Sequence, residues 1–163
     1  MLHVDMTNAI HLFASEEIKS TDAEITMYIL SHDAHLTVGD QYEIDVVLTN
    51  DNQLLLNASE SEIRFDPDKI KVTDVQFHTD LCKHELVIER KVDNDTGHIQ
   101  LSCGTYEPFS GPAAVLATLV ITPIAQGSTS LYFGERSNVY RHDGLGTQVS
   151  GPLYGQDYEL ASA

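Results

Sequence analysis

The 163-residue sequence contains no tryptophan, and its 9 lysines and arginines are far outnumbered by 25 aspartates and glutamates. The formal net charge of −16 disfavours binding to nucleic acids or anionic membranes, because their phosphates would repel the chain. No stretch approaches the length of an apolar membrane helix, so we expect no membrane insertion. This acidity suits a soluble surface protein, association with cations or a basic partner, and solubility alone also accounts for it.

The motifs of common catalytic sites are also missing. The eight histidines form no HExxH or HxH pattern, and no G-x-S-x-G or phosphate-binding glycine pattern is present. Glu60 and Glu62 resemble the acid–base pair of a glycosidase, but they share one face of a predicted strand with Arg64, and nothing near them predicts a cleft. The sequence therefore indicates a protein that is not an enzyme.

Short segments of alternating polarity, with almost no helical periodicity, indicate an all-β fold. The segment 42–49 is typical, because Tyr42, Ile44 and Val46 fall on one side of the predicted strand. Further strands are predicted at 24–30, 54–65, 85–92, 98–103, 115–123, 128–133 and 156–160. Their regular spacing, with turn residues between them, predicts a β-sandwich of roughly eight or nine strands.

The segment 59–75 predicts a strand, a tight corner and a second strand. One face of the first strand is formed by Ser61, Ile63 and Phe65. The other, charged face is formed by Glu60, Glu62 and Arg64. The first face belongs to the core, and the charged face is left for water or a partner. Asp66-Pro67-Asp68 then turns the chain, since Pro67 fixes its own φ and restricts Asp66.

Three local features are predicted from breaks in the pattern. The alternation slips near Asn57 and Ala58, which predicts a β-bulge in the strand 54–65. In the strand 85–92 we expect Leu86 and Ile88 to point inward. The sequence DNDTG at 93–97 predicts a hairpin turn, because asparagine, aspartate and glycine tolerate positive φ.

Four motifs, in this order, resemble those of the cohesin-like family of bacterial and archaeal surface modules. They are a Val-Gly-Asp turn with its strand at 36–46, the aromatic-Asp-Pro corner at 65–67, the strand GPAAVLATLVI at 111–121 and the strand entry QGSTSL at 126–131. The resemblance covers residues 25–160. It implies a jelly-roll domain at 24–163 without catalysis, preceded by an N-terminal extension at 1–23.

The resemblance also implies a function. Some members of the family bind dockerin modules, so we expect an extracellular module that mediates protein–protein binding or adhesion at the cell surface. Its partner would be a dockerin-like module or another surface protein. In dockerin-binding members the recognition face is formed by the strands that match 54–65, 85–92 and 98–103. Carried over by position, the outward candidates are Glu60, Glu62, Arg64, Glu89, Gln100 and Ser102.

Two other functions remain open. The segment 2–13 fits one face of a short helix that would pack on the sandwich, or less well an extra strand that would pair with an open sheet edge, its own or that of a neighbouring copy. Pairing with a neighbouring copy would make the chain a self-assembling surface or filament subunit. A carbohydrate-binding module would instead stack polysaccharide on aromatic rings. The candidates are Tyr106 and Phe109, in one predicted loop, and Tyr132, Tyr140 and Tyr154. Residues 1–19 do not have the pattern of a signal peptide, so export would depend on a signal outside this sequence.

The two cysteines and one turn are candidates for a covalent link and a cation site. Cys82 and Cys103 approach each other across a predicted hairpin; they would form a disulfide in an exported domain and remain buried thiols in a cytosolic one. Asp93, Asn94 and Asp95 offer oxygen atoms to Ca²⁺, but they lack the ligand array of an EF-hand, and a hairpin turn also accounts for them.

Overall fold

The protein is built from strands with alternating burial, in a computed structural model that describes residues 25–149 and 151–163. Within this part the strands are β1 (Thr26–Leu30), β2 (His35–Thr37), β3 (Tyr42–Thr49), β4 (Leu56–Arg64), β5 (Ile70–Phe77), β6 (Val87–Asp93), β7 (His98–Phe109), β8 (Ala113–Pro123), β9 (Gly127–Phe133), β10 (Asn138–Arg141), β11 (Gln148–Val149), β12 (Leu153–Tyr154) and β13 (Gln156–Ala161). Nine of these described strands have five or more residues, in agreement with the predicted number. The shorter strands β2, β10, β11 and β12 were not predicted.

The strands form two sheets that face each other. The first sheet has the order β12-β1-β3-β8-β5. The second is centred on β4, which pairs with β7 on one side, and β7 pairs with β6. The other side of β4 pairs with β10 near its start and with β9 at its end. This arrangement confirms the predicted all-β jelly-roll sandwich.

The core lies between the two sheets and follows the predicted alternation. Ile44, Val46 and Leu48 of β3 are fully buried, whereas the side chains between them are only half-buried. Ile63 of β4 is likewise fully buried, and Phe65 at its end is nearly so. Each such aliphatic or aromatic side chain contributes about 1.5–3 kcal/mol relative to an exposed position.

The corner after β4 has the predicted geometry. The carbonyl of Asp66 accepts hydrogen bonds from the backbone N–H groups of Lys69 and Ile70, at 3.1 and 3.0 Å. The Asp66 carboxylate accepts the Asp68 N–H at 2.9 Å. The predicted bulge in β4 is also present, as a register shift between Leu56 and Ala58. The predicted N-terminal extension, 1–23, lies outside the described residues.

Two predictions about the segments that form β6 and β7 were wrong. Leu86 belongs to a 3-10 helix, His84–Leu86, and Ile88 is 76% exposed instead of pointing inward. The reason is a register shift between Val87 and Glu89, which turns Ile88 out of the ladder. Tyr106 and Phe109 do not lie in a loop either, because β7 continues to Phe109.

Asn94, in the turn between β6 and β7, caps the free edge of β5. Its side-chain amide accepts the N–H of Val72 and donates to the carbonyl of the same residue, both at 2.8 Å. We expect Asn94→Ala to lower the free energy of unfolding by about 1.5 kcal/mol, since two hydrogen bonds are lost. Asp95→Ala, an exposed position of the same turn, is the control and should change stability by less than about 0.5 kcal/mol in urea unfolding. Equal effects of the two changes would contradict this role of Asn94.

Candidate functional site

The outward side of β4, β7 and β6 carries three rows of side chains. Directly opposed residues of an antiparallel ladder lie on the same face of the sheet. The register produces the rows Arg64–His98–Asp93, Glu62–Gln100–Lys91 and Glu60–Ser102–Glu89. We call these nine residues the outer face. Its middle strand is β7, so Gln100 lies at its centre.

The structure brings together all six residues that the sequence singled out. Three more members complete the rows: His98 and Lys91, which were not predicted as site residues, and Asp93, which was a candidate only for a cation site. A signal for His98 was present, because it continues the outward alternation of Gln100 and Ser102 by one step. Arg136 joins the face from the segment 134–137, and no local pattern in the sequence indicates this contact.

Glu62 is the most connected carboxylate of the outer face. Its side chain is 9% exposed and lies 2.8 Å from His98 Nε2 and 3.1 Å from Arg64 Nη2. The backbone N–H of Arg136 also donates to it, at 3.3 Å. The hydrogen bond from His98 is the main cause that lowers the pKa of Glu62; burial opposes it, and the Arg136 N–H and the Arg64 charge add to it.

The segment 134–137 is fixed to the backbone of the same residue. Gly134 donates its N–H to the carbonyl of Glu62 at 2.8 Å, and the Ser137 hydroxyl bonds both the N–H and the carbonyl of Glu62 at 3.1 Å. A Cβ atom at position 134 would meet the Glu62 carboxylate, so glycine permits this close approach. The segment therefore bridges the gap between β9 and β10 along β4.

Glu60 has its own partners on β10. Its carboxylate accepts the Tyr140 hydroxyl at 2.8 Å and the Asn138 amide at 3.3 Å. Burial, followed by the bond to Glu60, raises the pKa of Tyr140. Glu60 and Glu62 are thus held by different groups, and neither is arranged with the other as an acid–base pair.

Gln100 is the unusual residue at the centre of the outer face. Its side chain is 1% exposed, and neither its amide nitrogen nor its amide oxygen has a hydrogen-bond partner among the described residues. A buried polar group without a partner costs about 1–3 kcal/mol. Such a cost at the centre of the outer face marks the place as one to explain functionally.

A disulfide lies behind this face. Cys82 and Cys103 are joined, with Cα atoms 5.0 Å apart, and both are buried. The Ser59 hydroxyl lies 3.4 Å from Cys103 Sγ. The link anchors the segment before β6 to the middle strand of the outer face.

The turn 93–97 uses its polar groups locally. Asp93 Oδ1 accepts the N–H groups of Asp95 and Thr96 at 2.9 and 3.1 Å, and these bonds, that of Thr96 first, lower the pKa of Asp93. Asn94 is bonded to Val72. Across residues 25–149 and 151–163, no three His, Cys, Asp or Glu side chains form a group that could hold a metal ion.

The aromatic candidates for sugar binding do not converge. Phe109 packs against the core, Tyr106 is 72% exposed, and Tyr140 is bonded to Glu60. Tyr154 belongs to the other sheet, where its ring stacks on Tyr28 with a centroid distance of 5.3 Å.

Among the described residues, no helix has the length and apolar character needed to cross a membrane.

Comparison with solved structures identifies the fold. A chain of a type I cohesin–dockerin complex from Clostridium thermocellum matches with a TM-score of 0.69 and 17% identity, over 85% of this chain and 99% of that chain. A non-cellulosomal cohesin from the archaeon Archaeoglobus fulgidus matches at 0.67 and 16%, over 85% and 92%. The cohesin module of a Clostridium perfringens family 33 glycoside hydrolase matches at 0.68 and 12%, over 86% and 97%. No family model and no curated protein matches the sequence. The described part of the chain has the jelly-roll fold of cohesin modules.

Proposed function

We propose that the chain is a non-catalytic module that binds another protein through the outer face. Its partner is a dockerin-like module or another surface protein. The observation that carries the proposal is the alignment of nine polar and charged side chains, from three neighbouring strands, on one face of the sheet. In the Clostridium thermocellum complex, a cohesin is bound to a dockerin.

The charges of the outer face support recognition of a protein surface. Two of the rows carry one acidic and one basic side chain at their ends, and the third carries two carboxylates. Such charge patterns select partners of complementary charge and fix their register. The Glu62 carboxylate is paired with Arg64 and His98, while the Glu60 carboxylate accepts a hydrogen bond from Tyr140. These carboxylates therefore shape a surface, as expected of a binding module.

The location that fits this function is outside the cell. A disulfide persists in oxidising surroundings such as the extracellular space, and Cys82 and Cys103 are joined in the structure. The cohesin-like family, which the sequence resembles, consists of surface modules. We therefore propose an extracellular or cell-surface module that contributes to adhesion or to the assembly of surface complexes.

The test measures binding of the immobilised chain to a panel of purified dockerin modules. We expect at least one to bind, and Glu89→Arg to weaken that binding by at least about tenfold, because charge is reversed within the outer face. Glu43→Arg is the matched control, since Glu43 is exposed on β3 of the opposite sheet and forms no ion pair within the described residues. It should leave affinity unchanged.

Two results would oppose the proposal. If no dockerin in the panel binds, the dockerin half of the proposal fails for that panel, and only another surface protein is left as the proposed partner. If Glu43→Arg weakens binding as much as Glu89→Arg, the partner does not select the outer face. Circular dichroism of both variants shows whether the fold is retained.

A further inference from the structure

A groove runs along the third row of the outer face. It has a volume of about 310 Å³, and Glu60 and Glu89 stand on its two sides with Ser102 between them. Neighbouring strands are about 4.8 Å apart, so the two carboxylates arise from backbones separated by about 10 Å. Ile88 and Tyr140 add apolar surface to the same groove.

Arg136 crosses this groove from one side to the other. Its backbone N–H is bonded to Glu62 of β4, whereas its guanidinium lies 3.5 Å from Glu89 of β6. Strand β7 lies between those two strands, and its Ser102 lines the same groove as Arg136. The Arg136–Glu89 pair is long, and the arginine side chain is 57% exposed, so the ion pair is weak and is readily exchanged for another.

Two side chains of β7 near this groove have hydrogen-bonding groups without partners in the described part of the chain. Ser102 is 7% exposed, lines the groove, and its hydroxyl makes no hydrogen bond with any described residue. Gln100, one step along β7, is buried with both amide atoms unpartnered. No neighbouring described residue forms a hydrogen bond with these side-chain groups, so they are available to bind a ligand.

The lining of the groove matches a long basic side chain. An ammonium or guanidinium group pairs with carboxylates and donates further hydrogen bonds to a hydroxyl or amide oxygen. The methylene stem of lysine or arginine packs on apolar surface, such as that of Ile88, while its charged end remains polar. The Tyr140 ring offers an additional face for a cation. Arg136 itself shows that a guanidinium fits beside Glu89.

We propose that this groove takes a lysine or arginine side chain of the partner protein, which replaces Arg136 on Glu89 and lies between Glu60 and Glu89. This inference rests on the proposed function, since it names the chemistry of the partner. Displacement of Arg136 opens Gln100 and Ser102 to hydrogen bonds from the partner. The strong negative charge of the whole chain favours the approach of a basic partner.

The experiment uses NMR titration of the ¹⁵N-labelled full chain with small side-chain mimics at tens of millimolar. The probes are N-acetyl-lysine methylamide and N-acetyl-arginine methylamide, with the norleucine analogue as an uncharged control. We expect saturable shifts at Ser102 and Glu89 with at least one basic probe and not with norleucine. Glu89→Gln should weaken the response about threefold, because one ion pair is lost. Glu43→Gln is the control on the opposite sheet.

Arg136→Gln provides the decisive comparison. We expect it to tighten binding of the basic probe about threefold, because the internal competitor for Glu89 is gone. Weaker binding in Arg136→Gln, equal shifts with norleucine, or no shifts in either protein would overturn the inference. The titration needs no partner protein. If the probes bind and no dockerin does, the groove stands and the dockerin assignment falls; if a dockerin binds and the probes do not, the reverse holds.

Discussion

Loss of the Cys82–Cys103 disulfide is expected to lower the free energy of unfolding by about 3 kcal/mol. The bond closes a loop between residues 21 positions apart, and a cross-link of that length restricts the unfolded chain. Both cysteines are buried, so their replacement also leaves a change in packing beside the middle strand of the outer face. The corresponding decrease in Tm is about 10 °C for a domain of this size.

The measurement compares urea unfolding of the oxidised chain, the reduced chain and the Cys82→Ala/Cys103→Ala double variant. The reductant is also added to the double variant, which controls for effects on the rest of the protein. Similar stability of the oxidised and reduced chains would show that the link contributes nothing. A thiol assay of the untreated protein that finds two free cysteines would show that the link does not form.

The fold was predictable because most strands bury one face only. Tyr42–Thr49 was predicted with its observed bounds, since buried and less buried residues alternate along it without interruption. The corner after Phe65 was also predictable, because Pro67 and the Asp66 side chain act within a few residues of themselves. These features depend on local chemistry and on a core that excludes water.

The failures arose where the structure depends on distant partners. Ile88 follows the pattern of a buried residue, but the register shift beside it depends on how β6 pairs with β7. The short strands β10–β12 occur in a glycine-rich stretch that has no clear alternation, and β10 is a strand because it lies along β4. Pairing of this kind is decided by tertiary packing, which no local propensity describes.

The candidate site was predictable in its members and not in its interactions. Outward alternation and the resemblance to cohesin-like modules indicated residues such as Glu62 and Gln100, and the register places them opposite each other. The part played by Arg136 was not predictable, because it reaches Glu62 and Glu89 from 74 and 47 positions away in the sequence. Whether these residues bind a partner stays a prediction.

Replacement of Glu62 by alanine is expected to lower the free energy of unfolding by about 3 kcal/mol. The buried carboxylate accepts hydrogen bonds from Arg64, His98 and the backbone of Arg136. Its removal leaves the Arg136 N–H, the Arg64 guanidinium and the His98 imidazole without their acceptor. Urea unfolding at neutral pH measures the change, and Glu43→Ala, at an exposed position of the other sheet, should stay within about 0.5 kcal/mol of the wild type.

The effect of Glu62 should depend on pH in one direction. Because its pKa is lowered in the folded protein, the carboxylate stabilises the fold above the pKa of an unfolded glutamate, about 4.3. That contribution is lost as the pH falls from there through the lower folded pKa. The stability difference between the wild type and Glu62→Gln should therefore be largest at neutral pH and shrink below about pH 4.

The glutamine variant separates charge from shape at this position. It keeps a side-chain oxygen for the Arg136 N–H, so its loss of stability at neutral pH should be smaller than that of Glu62→Ala. A stability difference that stays constant from neutral to acidic pH would show that the Glu62 charge is not what holds His98 and Arg64. In that case the segment 134–137 would be fixed mainly by Ser137 and its bonds to the β4 backbone.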